Sequence, residues 1–291
     1  ESDNRMTIRH NSGETWFPLE SADDYPMPMA EKYNETLPDL SGQWLRDALK
    51  RSLWATANDD LRPIMTGVNI ALKDGNLDIV ASDGHVLVKS QYSVIDRVAQ
   101  NRIGSFIMPQ KVAHLVSAVA HAGDTINVEG NDHWAHLPPP GLRHALTFRR
   151  IAGTYPNYDS VIPTDCPYEA DIPRAYLLSS LHKVVPFTAD TAGSKMVRLT
   201  FQTDNHLVLQ GDDYDFSTGA TDTMAVESNV TADPLTIGAS GTRLLAILSK
   251  LPGQQVTMRM TDPSHAFTFE PTEQPDDGDI LMLAMPMMLN E

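Results

Sequence analysis

Cysteine is almost absent from these 291 residues: Cys166 stands alone. The chain therefore closes no disulfide of its own, and a zinc site built from cysteines is excluded. Such usage fits a reducing cytosol, and a cytoplasmic location is expected. Long apolar runs are lacking too. The longest, "LMLAMPMML" at 281–289, is about half of the ~20 residues a membrane span needs, so no membrane partner is expected. No secretory leader pattern follows Glu1.

The usual signatures of catalysis are missing as well. There is no P-loop, no G-x-G-x-x-G, no G-x-S-x-G elbow, and the ten histidines never fall at H-x-H or H-x-x-x-H spacing. Nucleotide hydrolysis is not expected, and neither catalytic residues, nor a cofactor, nor a metal is assigned. The acid pairs in "GDDYD" (Gly211–Asp215) and "SADDYP" (21–26) could in principle hold Mg²⁺, but acids in hairpin turns are read as solvated. Positive charge is scarce: 22 Lys and Arg face 38 Asp and Glu, a net charge of −16. Evenly spread, that balance would argue against a polyanionic partner. What remains, 41% hydrophobic and 21% charged, describes a globular protein long enough for two domains.

A repeat organises the chain. "LSGQWLRDALKRSLWAT" puts apolar residues at helical spacing after Ser41, a candidate N-cap. "GVNIALKDGNLDIVASDGHVLVKS" follows as three strands joined by two Asp-Gly turns. "FIMPQKVAHLVSAVAHAGDTINVEG" then reads strand, helix opened by Pro109, stop at Gly123-Asp124, and strand. About 130 residues later the order returns, in "IPRAYLLSSLHKVVPFT", "MVRLTFQTDNHLVLQGDDYDFSTGA" and "LTIGASGTRLLAILSKLPGQQVTMRM". A partial copy stands at the front, where Tyr25-Pro26 answers Tyr155-Pro156. The expected division is a module tail over 1–38 and two full modules over 39–166 and 167–291, each α+β.

Charge is unevenly sorted over this frame. Four helices are expected at 41–55, 109–121, 174–185 and 240–250. They hold Arg46, Lys50, Arg51, Lys111, Arg174, Lys183, Arg243 and Lys250 against one acid, Asp47. The helices thus stand at +7 and the remainder at −23. Solvated helix faces normally carry Glu beside Lys; these carry none. The favoured reading is a shared basic surface toward a polyanion, touching phosphates without reading bases.

Six ordered stretches carry a resemblance: "ATANDDLRPIMTGV", "IVASDGHVLVKS", "FIMPQKVAHLV", "YPNYDSVIP", "LTIGASGTRLLAIL" and "MPMML". Together they resemble the bacterial DNA polymerase III beta subunit family, the sliding clamps, from about residue 5 to 289. The resemblance implies a DNA-clamp fold in which each module packs two helices on antiparallel sheets. Two subunits would close into a ring around duplex DNA with helices inside, a homodimer that needs the first module, of which this chain shows only the tail. A helix of about 14 residues spans ~21 Å, comparable with the duplex it faces. DNA contact, independent of sequence, would fall to the eight helix cations and to Arg62.

The resemblance also implies a peptide-binding cleft for short linear motifs of DNA polymerase, clamp loader and repair proteins. Carried over by motif, it contains Met65, Ser82, Gly84, His85, Val86, Leu87, Pro156, Ser160, Val161, Leu283, Met285, Pro286 and Met287. His85 then serves as a wall and hydrogen-bond donor, not a base. Val86, Ser160 and Met288 stand where relatives commonly carry Arg, so the cleft is more apolar and its preferred partners differ. The alternative is a clamp-like protein-binding scaffold that does not encircle DNA.

Overall fold

The computed structural model describes residues 5–21, 23, 33, 35–37, 39–59, 61–94, 104–139, 145–191 and 194–289. The chain forms two units, Glu1–Lys32 and Tyr33–Glu291. In the first, β1 (Arg5–His10) and β2 (Gly13–Pro18) pair antiparallel around a tight turn, Arg5 opposite Pro18 and His10 opposite Gly13. Both strands are exposed throughout, Trp16 at 60% and Ile8 at 49%. Each of the two strands is thus the other's partner. Tyr25-Pro26 and most of "SADDYP" lie outside the described residues.

The larger unit begins with β3 (Glu35–Thr36) and β4 (Leu40–Ser41). Helix α1 (Gly42–Ser52) starts at Ser41, whose hydroxyl accepts from the Trp44 amide at 3.4 Å. Trp44, Leu45, Ala48 and Leu49 bury one stripe of it, and each such side chain stabilises by roughly 1.5–3 kcal/mol when fully buried, less for alanine. A 3₁₀ turn, Leu53–Ala55, finishes the segment expected to be helical to 55. Then come β5 (Gly67–Lys73), β6 (Asn76–Ser82) and β7 (Val86–Ser93). Asp74 and Gly75, both at positive φ, make the first turn between them. Next are β8 (Ser105–Pro109), α2 (Gln110–Val119) and the short β9 (Thr125–Ile126), β10 (Glu129–Gly130), β11 (Trp134–Leu137) and β12 (Leu146–Arg149).

The second pass repeats the order. It runs through β13 (Tyr168–Pro173), α3 (Arg174–Val184), β14 (Asp190–Thr191), β15 (Ser194–Phe201), β16 (His206–Asp213) and β17 (Thr218–Ala225). It continues with β18 (Glu227–Ser228), β19 (Leu235–Ser240), α4 (Gly241–Lys250), β20 (Gln255–Met260), β21 (Phe267–Pro271) and β22 (Asp279–Ala284). Helix α1 packs on α2, and α3 on α4.

The two passes share one sheet. Nine strands run in the order β18-β13-β20-β21-β22-β7-β6-β5-β8, and the seam is β22 against β7, with Ala284 opposite Val86 and Asp279 opposite Gln91. Side chains alternate across this sheet. Val86, Val88, Ile280, Met282 and Ala284 join the main core. Val80, Leu87 and Leu283 face the other way, into a small second core with Tyr155, Tyr158, Ile162 and Leu281. That face, roofed by the segment linking the passes, positions the site. Among the described residues no helix is long and apolar enough to cross a membrane.

Candidate functional site

The hairpin between β6 and β7 forms the first wall. Asp83, Gly84 and His85 turn the chain, with Gly84 at φ +89°, where a side chain would be strained. Hydrogen bonds fix the turn from within. The Asp83 carboxylate accepts from the amides of His85 (2.7 Å) and Val86 (2.9 Å), while the Ser82 hydroxyl accepts from the Gly84 amide and donates to the Val86 carbonyl at 2.7 Å. Arg62, following the loop after α1, donates to the Asp83 carbonyl at 2.8 Å. The turn is thus a rigid rim, and His85 projects from it as an exposed side chain without a carboxylate or hydroxyl partner among the described residues.

The second wall is the segment linking the passes. Tyr155 accepts from the Ser82 amide at 2.9 Å, and burial pushes its phenol up to about 12. A 3₁₀ turn, Tyr158–Val161, follows. Tyr158 donates to the Asp78 carboxylate at 2.8 Å. Asp159 bridges Lys73 (2.7 Å) and Lys89 (3.2 Å). Burial opposes the charge on Asp159, but the two lysines hold its carboxyl below its ordinary value.

The third wall is β22 and the chain beyond it. The Met285 amide donates to the His85 carbonyl, and the Met287 amide to the Gly238 carbonyl, each at 2.8 Å. The tail therefore ties the first-pass hairpin to β19 of the second pass. Gly238 has no room for a side chain: a Cβ there would stand 2.3 Å from the Met287 carbonyl oxygen.

These walls enclose a cleft of about 270 Å³ lined by Met65, Ser82, Gly84, His85, Val86, Leu87, Tyr155, Pro156, Asn157, Tyr158, Val161, Leu283 and Met285. Ten of the thirteen residues expected from sequence lie in this lining. Ser160 turns its hydroxyl back onto the Asn157 carbonyl at 2.7 Å, and Pro286 and Met287 belong to the tie with β19. Tyr155, Asn157 and Tyr158 were not singled out, although the "YPNYDSV" stretch that carries them was. The lining is almost wholly apolar, and Val161 and Met285 are 51% and 42% exposed. Such a surface receives apolar side chains, and the Ser82 hydroxyl on it is engaged by the Val86 carbonyl.

The expected DNA-contacting cations divide into two sets. Lys50, Lys111 and Lys250 are exposed on α1, α2 and α4 and make no ion pair among the described residues. The rest are engaged. Arg46 pairs with Asp47 (3.3 Å) and Lys183 with Asp222 (3.0 Å). Arg51 donates to the Ser90 hydroxyl, and burial pulls its guanidinium below the ordinary value. Arg174 donates to the carbonyls of Leu248 (2.9 Å) and Gly253 (2.8 Å), capping the C-terminal end of α4. Arg243 reaches Ser194 and lies 3.8 Å from Asp83; Arg62 belongs to the hairpin rim. Two of the three acids of "GDDYD" are also occupied: Asp212 pairs with Arg198, and Asp213 accepts from the amides of its own turn. Among the described residues no group of three His, Cys, Asp or Glu could hold a metal ion.

A doubled helix-and-sheet unit with an apolar cleft at its seam defines a protein of clamp fold. Residues 39–157 match the family model for the DNA polymerase III beta subunit, central domain. Among curated proteins, the beta sliding clamp of Synechococcus elongatus is 25% identical over 99% of this chain and 75% of its own length. That of Synechocystis is 27% identical over 97% and 73%. The fold superposes on crystal structures of the DNA polymerase sliding clamps of Pseudomonas aeruginosa (TM-score 0.86, 19% identity, 99% of this chain and 75% of that one) and Bacillus subtilis (0.84, 18%, 100% and 74%). The chain is thus similar to the DNA polymerase III beta subunit family across residues 39–157 and to beta sliding clamps over nearly its whole length, and it spans about three quarters of the length of these relatives.

Proposed function

We propose that this protein is a non-catalytic sliding-clamp processivity factor. It encircles duplex DNA without regard to sequence and tethers polymerase, clamp loader and repair proteins through short linear motifs seated in the cleft. The observation that carries this reading is the cleft itself, where the hairpin 82–87, the linking segment 155–161 and the end of β22 with Met285 just beyond it converge on one apolar hollow. Methionine walls suit several apolar anchors. The working assembly is a cytoplasmic homo-oligomer, a ring of two subunits when a first module is present, with modules at 39–166 and 167–291 and a module tail at 1–38. Lys50, Lys111 and Lys250 are the DNA contacts best placed to act.

The test is topological. Loaded by a clamp loader onto nicked circular plasmid, the protein should stay through gel filtration and leave once the plasmid is linearised. Loss from circles and linear DNA alike would reject encirclement.

A second reading, a scaffold that docks peptides but does not encircle DNA, is favoured by the five helix cations already engaged within the chain. It predicts intact peptide binding without dependence on DNA topology.

A further inference from the structure

The sheet face that floors the cleft continues past it. Cross-strand rows run Ser82–Leu87–Leu283 beneath the cleft, Val80–Lys89–Leu281 next, and Asp78–Gln91–Asp279 beyond. Successive rows on one face are ~6.6–6.8 Å apart. Over the second and third rows lies another hollow, of about 490 Å³, walled by Lys89, Asp159, Glu270, Gln274, Asp279 and Leu281 among others. The turn Tyr158–Val161 separates the two spaces: Tyr158 and Val161 border the cleft, Asp159 the hollow. One apolar floor, with Leu87, Leu283 and Leu281, underlies both.

The hollow has its own electrostatics. Lys73 and Lys89 are matched by Asp78 and Asp159, while Arg259 is shared by Glu169 and Glu270. Asp279 has no ion pair among the described residues. The surroundings are left with two negative charges in excess. Burial, opposed by Arg259 and reinforced by Asp279, pushes the Glu270 carboxyl above its ordinary value.

We propose that this hollow is a second subsite for the same docked segment, and that it takes a lysine or arginine flanking the apolar anchors, selected by Glu270 and Asp279. The inference rests on the docking reading above. Reach is sufficient, because an extended chain advances ~3.3–3.6 Å per residue and crosses one or two rows in two to four residues. The methylene stem of the basic residue would lie on Leu281 while its head meets the carboxylates. Such a subsite gives the cleft, which has Val86 and Ser160 on its walls, a polar source of discrimination at its far end.

The experiment uses the full chain and fluorescent decapeptides with an apolar core of leucine and methionine, flanked two, three or four residues away on either side by Lys, Ala or Glu. Binding is read by anisotropy. At one or more positions Lys should bind roughly three- to tenfold tighter than Ala, with Glu weaker. The gain should shrink at high salt. Glu270→Gln with Asp279→Asn should erase it and leave the Ala peptide unchanged; Asp279→Asn alone, at an exposed site, should remove part of it. Equal binding of the Lys, Ala and Glu peptides at every position overturns the subsite, as does a gain that survives the double substitution. If the Ala peptide does not bind, or ignores Met285→Lys, the docking reading itself fails, and this inference with it.

Discussion

The Tyr158 hydroxyl donates to the Asp78 carboxylate at 2.8 Å across eighty residues of sequence. Asp78 is almost sealed from solvent, its side chain 2% exposed, and its other partners are Gln91 (2.7 Å) and Lys89 (3.3 Å). This contact pins the segment linking the two passes to the sheet. Burial, joined by the bond to Asp78, raises the Tyr158 phenol far above its ordinary value, so it remains a donor at any physiological pH. Tyr158→Phe should therefore cost about 1–3 kcal/mol of stability, because a buried carboxylate loses one donor. Urea unfolding measures it, and an unchanged midpoint would show that the bond contributes nothing.

Asp159 offers a pH test. Its carboxyl is held below the ordinary 3.8 in the folded chain, so its contribution to stability is complete above that value and disappears as pH falls through the lower folded one. Asp159→Asn should lower the urea midpoint by the same amount at pH 7 and pH 5, and the deficit should shrink below pH 3.8. A deficit that grows on acidification would contradict the two lysine contacts.

Gly238 tests the tail. Alanine there would meet the Met287 carbonyl oxygen, a backbone atom that a side-chain rotation cannot move aside. Gly238→Ala should displace residues 287–289 and weaken binding of apolar peptides about tenfold or more, while costing the core ~1–3 kcal/mol at most. Deletion of 285–291 should abolish binding. Calorimetry showing full affinity in the deletion would move docking elsewhere on the protein.

The cations give a contrast. Lys50→Glu, Lys111→Glu and Lys250→Glu together should shorten retention on circular DNA and leave the unfolding midpoint nearly unchanged. Arg174→Ala should do the reverse. It removes two charge-assisted bonds to carbonyls at the end of α4, at about 1.5–3 kcal/mol, with little effect on retention. Loss of retention by Arg174→Ala at constant stability would return that residue to the DNA-facing set.

What the sequence disclosed and what it concealed follow from the range of the forces involved. Helix α1 was readable because Trp44, Leu45, Ala48 and Leu49 recur at its own period, and the Asp74-Gly75 turn because few residues accept positive φ. The seam between β22 and β7 was not readable. Strands nearly two hundred residues apart choose each other by packing of the finished core, and no local pattern records that choice. The directions of the helix cations were not readable either. Counting them registers charge but not direction, and long guanidinium side chains such as Arg51 and Arg174 fold back onto the nearest acceptor. The cleft motifs located its walls, while the hydroxyls of Tyr155 and Tyr158, which hold one wall in place, act through partners on a different strand.

The continuous ladder at the seam means that a segment docking as proposed would find its berth already assembled. Little of the association energy is then consumed in arranging the host, and the ordering cost falls mainly on the visitor.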